Sequence, residues 1–211
     1  MDDMKLIALT FDDGPSKGIT DEILSILEEN GAVASFFLIG QQINEDTEYL
    51  MKKVHAMGCS LENHSFTHED LRDLSPEAIR EQINMTSRRI EAAVGEAPKF
   101  FRPPYLLFND KMFDNIPLTF ISGFPIDDWV PEVTAQMREQ RLMETVCPGY
   151  ITLLHDFPDN YSTAEALRAV LPKLKEQGYS FVTIRDLFTK TGTEPKSRVV
   201  YRTLNTFMEQ E

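Results

Sequence analysis

Leu6-Ile7-Ala8-Leu9-Thr10-Phe11-Asp12-Asp13-Gly14-Pro15 is the stretch on which the reading of the fold turns. Its first four residues form an apolar run of the kind that makes a buried strand. The run leads into two adjacent carboxylates, and Gly14-Pro15 then bends the chain sharply. Acidic side chains at the end of a buried strand are costly unless a cation meets them, and a metal ion or an arginine is the usual solution. Taken alone, the stretch also reads as a solvated turn that carries Asp-Asp.

Outward from it, helix and strand patterns alternate. Ile19 to Asn30 reads as an amphipathic helix closed by Asn30-Gly31, and Ala32 to Ile39 as a second strand. Asp46 to Met57 is a second helix stopped by Gly58, and Cys59 to Glu62 a weak strand. A polar loop runs from Asn63 to Asp73. Ser75 as N-cap with Pro76 behind it opens a helix that reaches Val94, and Gly95 closes it. Short strands follow near Phe101, at Leu118 to Ser122, Tyr150 to Leu154 and Ser180 to Ile184. Between them Thr134 to Val146 and Ser162 to Gln177 are helical, and Arg185 to Lys190 adds a short helix. From about Thr191 the tail reads as a loop and then an undecided strand or helix. Alternation with short links predicts an α/β fold, mostly parallel, in one domain spanning residues 1–211.

Composition narrows the function. The chain has 211 residues, 42% of them hydrophobic, with 21 basic and 34 acidic side chains and a net charge of −13. That balance argues against nucleic-acid or anionic-membrane partners, which call for a basic patch. No run of about 18 apolar residues exists to span a membrane. The start, Met1-Asp2-Asp3-Met4, lacks the basic and apolar segments of a leader. The expected compartment is therefore the cytoplasm if the chain is complete as given, and the extracellular space or cell wall if a leader was removed. The two cysteines, Cys59 and Cys147, are expected as buried, reduced thiols.

Chemistry-bearing residues cluster by position. His64 and His68 stand at i and i+4, which on one helical turn would face one ion; a pair of unligated loop histidines is the alternative. Arg102-Pro103-Pro104-Tyr105, Asp127-Asp128-Trp129 and Leu153-Leu154-His155-Asp156 each follow a predicted strand, as Asp12 and Asp13 do. Singly they read as a rigid turn, an acidic loop and a core-edge histidine. In parallel α/β architectures, however, the C-terminal strand ends share one face, and that face carries the active site. His55, beside Lys52 and Lys53 in the second helix, reads as a surface residue.

In order, Thr10-Phe11-Asp12-Asp13-Gly14-Pro15, His64-Ser65-Phe66-Thr67-His68, Arg102-Pro103-Pro104-Tyr105, Asp128-Trp129 and Leu153-Leu154-His155-Asp156 resemble the five motifs of the polysaccharide deacetylases, carbohydrate esterase family four. The resemblance spans residues 6–156 and is expected to extend to about Lys190. It implies a distorted (β/α) barrel of seven or eight mostly parallel strands and a metal-dependent hydrolase that removes N-acetyl, sometimes O-acetyl, groups from sugars. A chitooligosaccharide or peptidoglycan type of substrate is expected from it. It further implies Asp13, His64 and His68 as metal ligands and Asp12 as general base, held by Arg102. His155 would be the general acid, held by Asp128. Trp129 and Leu153 would line the acetyl-methyl pocket, and the Tyr105 main-chain N–H would face the oxyanion. Zn²⁺ is the default ion, with Co²⁺, Ni²⁺ or Mn²⁺ able to serve such a nitrogen and oxygen site. Leu106 stands where the family usually has Gly, and Leu106-Leu107-Phe108 either closes one end of the groove or packs beneath the loop.

Elementary chemistry supports these roles independently. Two histidines and one carboxylate leave positions open for water and substrate. An ion there lowers the pKa of water from about 15.7 towards roughly 7 and polarises a carbonyl. Three other readings exist: hydrolysis of a different amide, a non-catalytic carbohydrate-binding protein, and a mononuclear iron oxygenase. The first and second would lose a ligand, base or acid that this chain keeps, and the third has no use for Asp12 or the His155–Asp128 pair.

Overall fold

The computed structural model of the chain describes residues 5–208, so the acidic start from Met1 to Met4 lies outside the described residues. The elements in chain order are β1 (Lys5–Ala8), β2 (Thr10–Gly14), α1 (Ile19–Glu29), β3 (Ser35–Leu38), α2 (Glu48–Ala56), β4 (Ser60–Asn63), α3 (Pro76–Val94), β5 (Phe100–Phe101), α4 (Asp110–Asn115), β6 (Thr119–Ile121), β7 (Phe124–Pro125), α5 (Ala135–Thr145), β8 (Tyr150–His155), α6 (Tyr161–Glu176), β9 (Tyr179–Val182), α7 (Ile184–Thr191), β10 (Val200–Tyr201) and β11 (Phe207–Met208). The strands form one curled sheet in the order β11-β10-β6-β5-β4-β3-β2-β8-β1-β9, with β7 also on β8. Neighbours are parallel except β10 and β11. This is the mostly parallel barrel architecture expected from the motifs. The additional short segments arise from a kink at Leu9, from Phe124–Pro125, and from the tail.

Both faces of the sheet are buried, which explains why its strands are apolar throughout rather than alternating with polar residues. Successive residues still point to opposite sides. Ile7, Leu9, Phe11 and Phe36 join α1 and α6 in the outer core, through Ile23, Leu24, Leu167 and Leu171. Leu6, Ala8, Phe37 and Ile151 face the inner core, which α7 and the tail complete with Leu187, Phe188, Tyr201 and Leu204. The tail left undecided by the sequence is thus strand, added beside β6.

Local signals account for the helix ends. Ser75 accepts from the Ala78 N–H, and Gly95 closes α3 in a left-handed conformation at φ 75°. Thr134 and Thr183 cap α5 and α7 in the same way. The apolar run splits at Leu9: β1 pairs with β8 and β9, β2 with β3 and β8. The register between β2 and β3 slips between Asp12 and Gly14, where Asp13 sits at φ 72°. That bulge turns two consecutive aspartates to different sides, as bulges beside active sites do.

Two expectations need correction. Cys59 is buried but Cys147 is exposed, in the turn between α5 and β8, and the two are not bonded. His64 and His68 lie on a loop, with Ser65 and His68 at φ 64° and 61°, rather than on a helical turn.

Candidate active site and metal centre

The C-terminal ends of β2, β4 and β8 and the loops after β5 and β7 meet around a cavity of about 470 Å³. Asp12, Asp13, His64, His68, Tyr105, Trp129, Leu153 and His155 all line it. Arg102 and Asp128 are fully buried behind it. All ten residues singled out from the sequence therefore converge on one place.

On one wall, the Asp13 carboxylate faces two imidazoles. His64 Nε2 is 3.5 Å and His68 Nε2 3.4 Å from Asp13 Oδ1. The Nδ1–H of His64 donates to the Arg102 carbonyl at 2.7 Å, which fixes the ring and leaves Nε2 free, because a carbonyl can only accept. Asp13 Oδ1 is buried without a hydrogen-bond donor. Three donor atoms roughly 2.1 Å from one ion in a tetrahedral array stand roughly 3.4 Å apart, so the set fits a divalent cation. Burial opposes ionisation of Asp13, yet the neighbouring imidazoles, His64 foremost, with His155 and His68, hold its carboxyl down at about 2. Burial, then the neighbouring His64, lowers His68 and favours the neutral form that ligates.

Asp12 belongs to a second constellation. Its Oδ1 accepts from Arg102 Nη1 at 2.5 Å, and Arg102 Nη2 donates to Thr10 Oγ1 at 2.8 Å. The guanidinium stacks on Phe37, 4.2 Å from the ring centroid. Asp12 Oδ2 remains 3.8 Å from His64 Nε2, directed toward the ligand group without belonging to it. Thr10 was visible within the first motif, but only the structure shows what it does.

Across the cavity, the Nδ1–H of His155 donates to Asp128 Oδ1 at 2.7 Å. Asp128 Oδ2 collects the His155 main-chain N–H at 2.8 Å, Thr163 Oγ1 at 2.9 Å and Asn160 Nδ2 at 3.3 Å. Burial disfavours the imidazolium, but the hydrogen bond and charge of Asp128, helped by Asp12 and Asp13, raise His155 to about 9. Asn160 and Thr163 gave no signal in the sequence, since they read only as the start of a helix. The edge of Trp129 meets His155 at a ring separation of 5.4 Å, and Tyr105 meets His68 at 4.7 Å.

The loop after β5 holds Tyr105 and Leu106 at φ 57° and 58°, two consecutive left-handed residues without glycine. The apolar run at this loop divides: Leu106 lines the cavity, while Phe108 packs against Phe113 at 5.7 Å. Asp156 is another buried carboxyl, raised to about 7 by burial despite a 2.5 Å hydrogen bond from Thr20, and it does not line the cavity.

Comparison with known proteins gives the same direction. A family model described as polysaccharide deacetylase matches residues 2–119. The bifunctional xylanase/deacetylase of Pseudobutyrivibrio xylanivorans is 44% identical over 90% of this chain and 32% of its own length. A peptidoglycan-N-acetylglucosamine deacetylase of Listeria monocytogenes is 34% identical over 87% of this chain and 39% of its own. The chain thus spans a third or so of these curated relatives. The structure of a family 4 acetyl xylan esterase from Clostridium thermocellum, in complex with a cobalt ion, superposes with a TM-score of 0.92 at 37% identity, covering 96% of this chain and 100% of that one.

Proposed function

The chain belongs to the polysaccharide deacetylase family, the fourth family of carbohydrate esterases, whose named deacetylases are hydrolases, and on that premise we propose that it removes acetyl groups from an acetylated polysaccharide with a divalent cation bound by Asp13, His64 and His68. The observation that carries this reading is the facing arrangement in one cavity: three convergent ligand atoms and Asp12 on one side, the His155–Asp128 pair on the other. Zn²⁺ is the first choice for two imidazoles and a carboxylate, and Co²⁺, Ni²⁺ and Mn²⁺ suit the same donors. When bound, the ion supplies Lewis acidity to the acetyl carbonyl and to a nearby water.

The protein's own groups do the rest. Asp12, held by Arg102, takes the proton from the attacking water. The main-chain N–H of Tyr105 is the donor offered to the oxyanion. His155 gives its Nε2 proton to the sugar nitrogen or oxygen as the carbon–heteroatom bond breaks, and acetate leaves. Asp128, accepting from Nδ1–H, stabilises the imidazolium and holds its Nε2–H toward the leaving group. Leu153, 3% exposed, and Trp129 form the apolar wall for the acetyl methyl.

Two substrate classes have support. O-acetylated xylan comes first, because the relatives at 44% and 37% identity carry xylanase/deacetylase and acetyl xylan esterase names. N-acetylated glycans come second, on the peptidoglycan-N-acetylglucosamine deacetylase. Exposed Tyr105 and Trp129 on the cavity rim offer ring faces to a sugar in either case. Acetate release from acetylated xylan, peptidoglycan and N-acetylglucosamine oligomers, with and without chelator, tests the proposal. Release from none of them by metal-loaded protein would overturn it.

The acid also has a pH signature. Asp128 holds His155 above the ordinary histidine range, so turnover is expected to fall as the pH rises through that raised value and the imidazolium loses its proton. Asp128→Asn removes the charge that raises His155, so the falling limb should move to lower pH with metal content unchanged. His155→Ala should slow sugar deacetylation by about 10²-fold while sparing an aryl acetate, whose leaving group needs no proton. Equal slowing of both substrates would assign His155 to positioning.

A further inference from the structure

Behind the His155–Asp128 pair lies a charged group that the mechanism above does not use. Arg138, on α5, is 3% exposed. Its Nε donates to the Val133 carbonyl at 2.8 Å, and its Nη1 donates to Asn160 Oδ1 at 2.6 Å and Thr163 Oγ1 at 2.8 Å. A guanidinium has only donors, so both oxygens must accept. This fixes the direction of each bond beyond them. With Oδ1 turned to Arg138, Asn160 presents Nδ2 to Asp128 Oδ2 and to the His155 carbonyl, at 3.3 and 3.0 Å. With a lone pair engaged by Arg138, Thr163 aims its proton at Asp128 Oδ2, at 2.9 Å. The His155 main-chain N–H adds a third donor to Oδ2. Oδ2 is thereby saturated, and Oδ1 is left facing His155 Nδ1.

The same helix grips the loop from its other side. Arg141 Nη1 donates to the Ile126 carbonyl at 2.8 Å and to Asp127 Oδ2 at 2.6 Å, at the point where Asp127 adopts φ 57°.

We propose that Arg138 is a positioning residue for deacetylation: through Asn160 and Thr163 it orients the Asp128 carboxylate, and so holds His155 with Nδ1–H engaged and Nε2 toward the leaving group. The proposal rests on the reading of His155 as the acid. It differs from a simple tie between α5 and α6, which would affect stability or all substrates alike.

The test uses Arg138→Met, Arg138→Lys and the near-isosteric Thr163→Val in metal-loaded protein. Arg138→Met and Thr163→Val should each lower kcat on acetylated xylan or N-acetylglucosamine oligomers by about 10- to 100-fold, with KM unchanged and 4-nitrophenyl acetate hydrolysed within about threefold of wild type. The downfield ¹H NMR resonance of the His155 Nδ1 proton should shift or broaden in both. Arg138→Lys, which still supplies donors, should restore most of the loss. Equal slowing on sugar and aryl substrates, or an unchanged resonance and kcat in the folded variants, overturns the proposal. Should Arg138→Met fail to fold, Thr163→Val decides by the same two readouts. If wild-type protein releases no acetate from any glycan, the functional reading falls, while the resonance still reports whether Arg138 orders the pair.

Discussion

His64→Ala is expected to empty the metal site and reduce turnover by at least about 10⁴-fold. The ring is 3% exposed and locked by its Nδ1–H to the Arg102 carbonyl, so it delivers Nε2 to the site in one fixed orientation. Its loss leaves Asp13 with His68 alone, and two ligands on a loop and a bulge hold an ion weakly. Elemental analysis should show near-stoichiometric metal in loaded wild type and almost none in the variant. Removal of a buried ring also costs stability, so the melting temperature must be compared with that of metal-free wild type; a variant that melts with the metal-free protein has lost the ion rather than the fold. His55→Ala is the control, since His55 is a half-exposed surface residue near Glu96 and should leave both quantities untouched. Full metal occupancy in His64→Ala would break the ligand assignment.

What the sequence made legible follows from what each residue needs locally. The caps of α3, Ser75-Pro76 and Gly95, act within one turn of the chain, and the helix lies where they put it. The strand-end placement of the motifs survives because all parallel strands deliver their C-termini to one face, whatever their register. The details that failed depend on long-range contact. β5 is only two residues long and exists because β4 and β6 flank it. The tail becomes strand because β6 offers an open edge, which no pattern within the tail reveals. His64 and His68 converge on Asp13 through left-handed residues at Ser65 and His68, so the two rings meet as the i,i+4 spacing suggested but by a different geometry. Arg138 carries no signal in the sequence beyond lying within a helical segment, and its burial appears only when α5 is laid against Asn160 and Thr163.

Asp12→Asn is expected to keep the metal and lose about 10³-fold in kcat, with KM little changed. Asparagine is the informative replacement because its Oδ1 can still accept from Arg102 Nη1. Alanine would leave a fully buried guanidinium without its partner, and breaking such a pair costs about 3–5 kcal/mol, which would confuse folding with catalysis. The amide has no basic oxygen to take a proton from water, so the loss falls on turnover. Asp13, turned the other way by the bulge at φ 72°, keeps its contacts with both imidazoles, and metal content should therefore match wild type. A rival base exists on electrostatic grounds. Asp156, raised to about 7, is the carboxyl whose proton affinity best suits neutral pH. Geometry decides against it: Asp156 is fully buried, bonded to Thr20 and packed against Gly14, with no access to the cavity. Asp156→Asn should accordingly retain most of the turnover that Asp12→Asn loses. The opposite pattern, near-normal kcat in metal-loaded Asp12→Asn and collapse in folded Asp156→Asn, would move the base from the end of β2 to the end of β8.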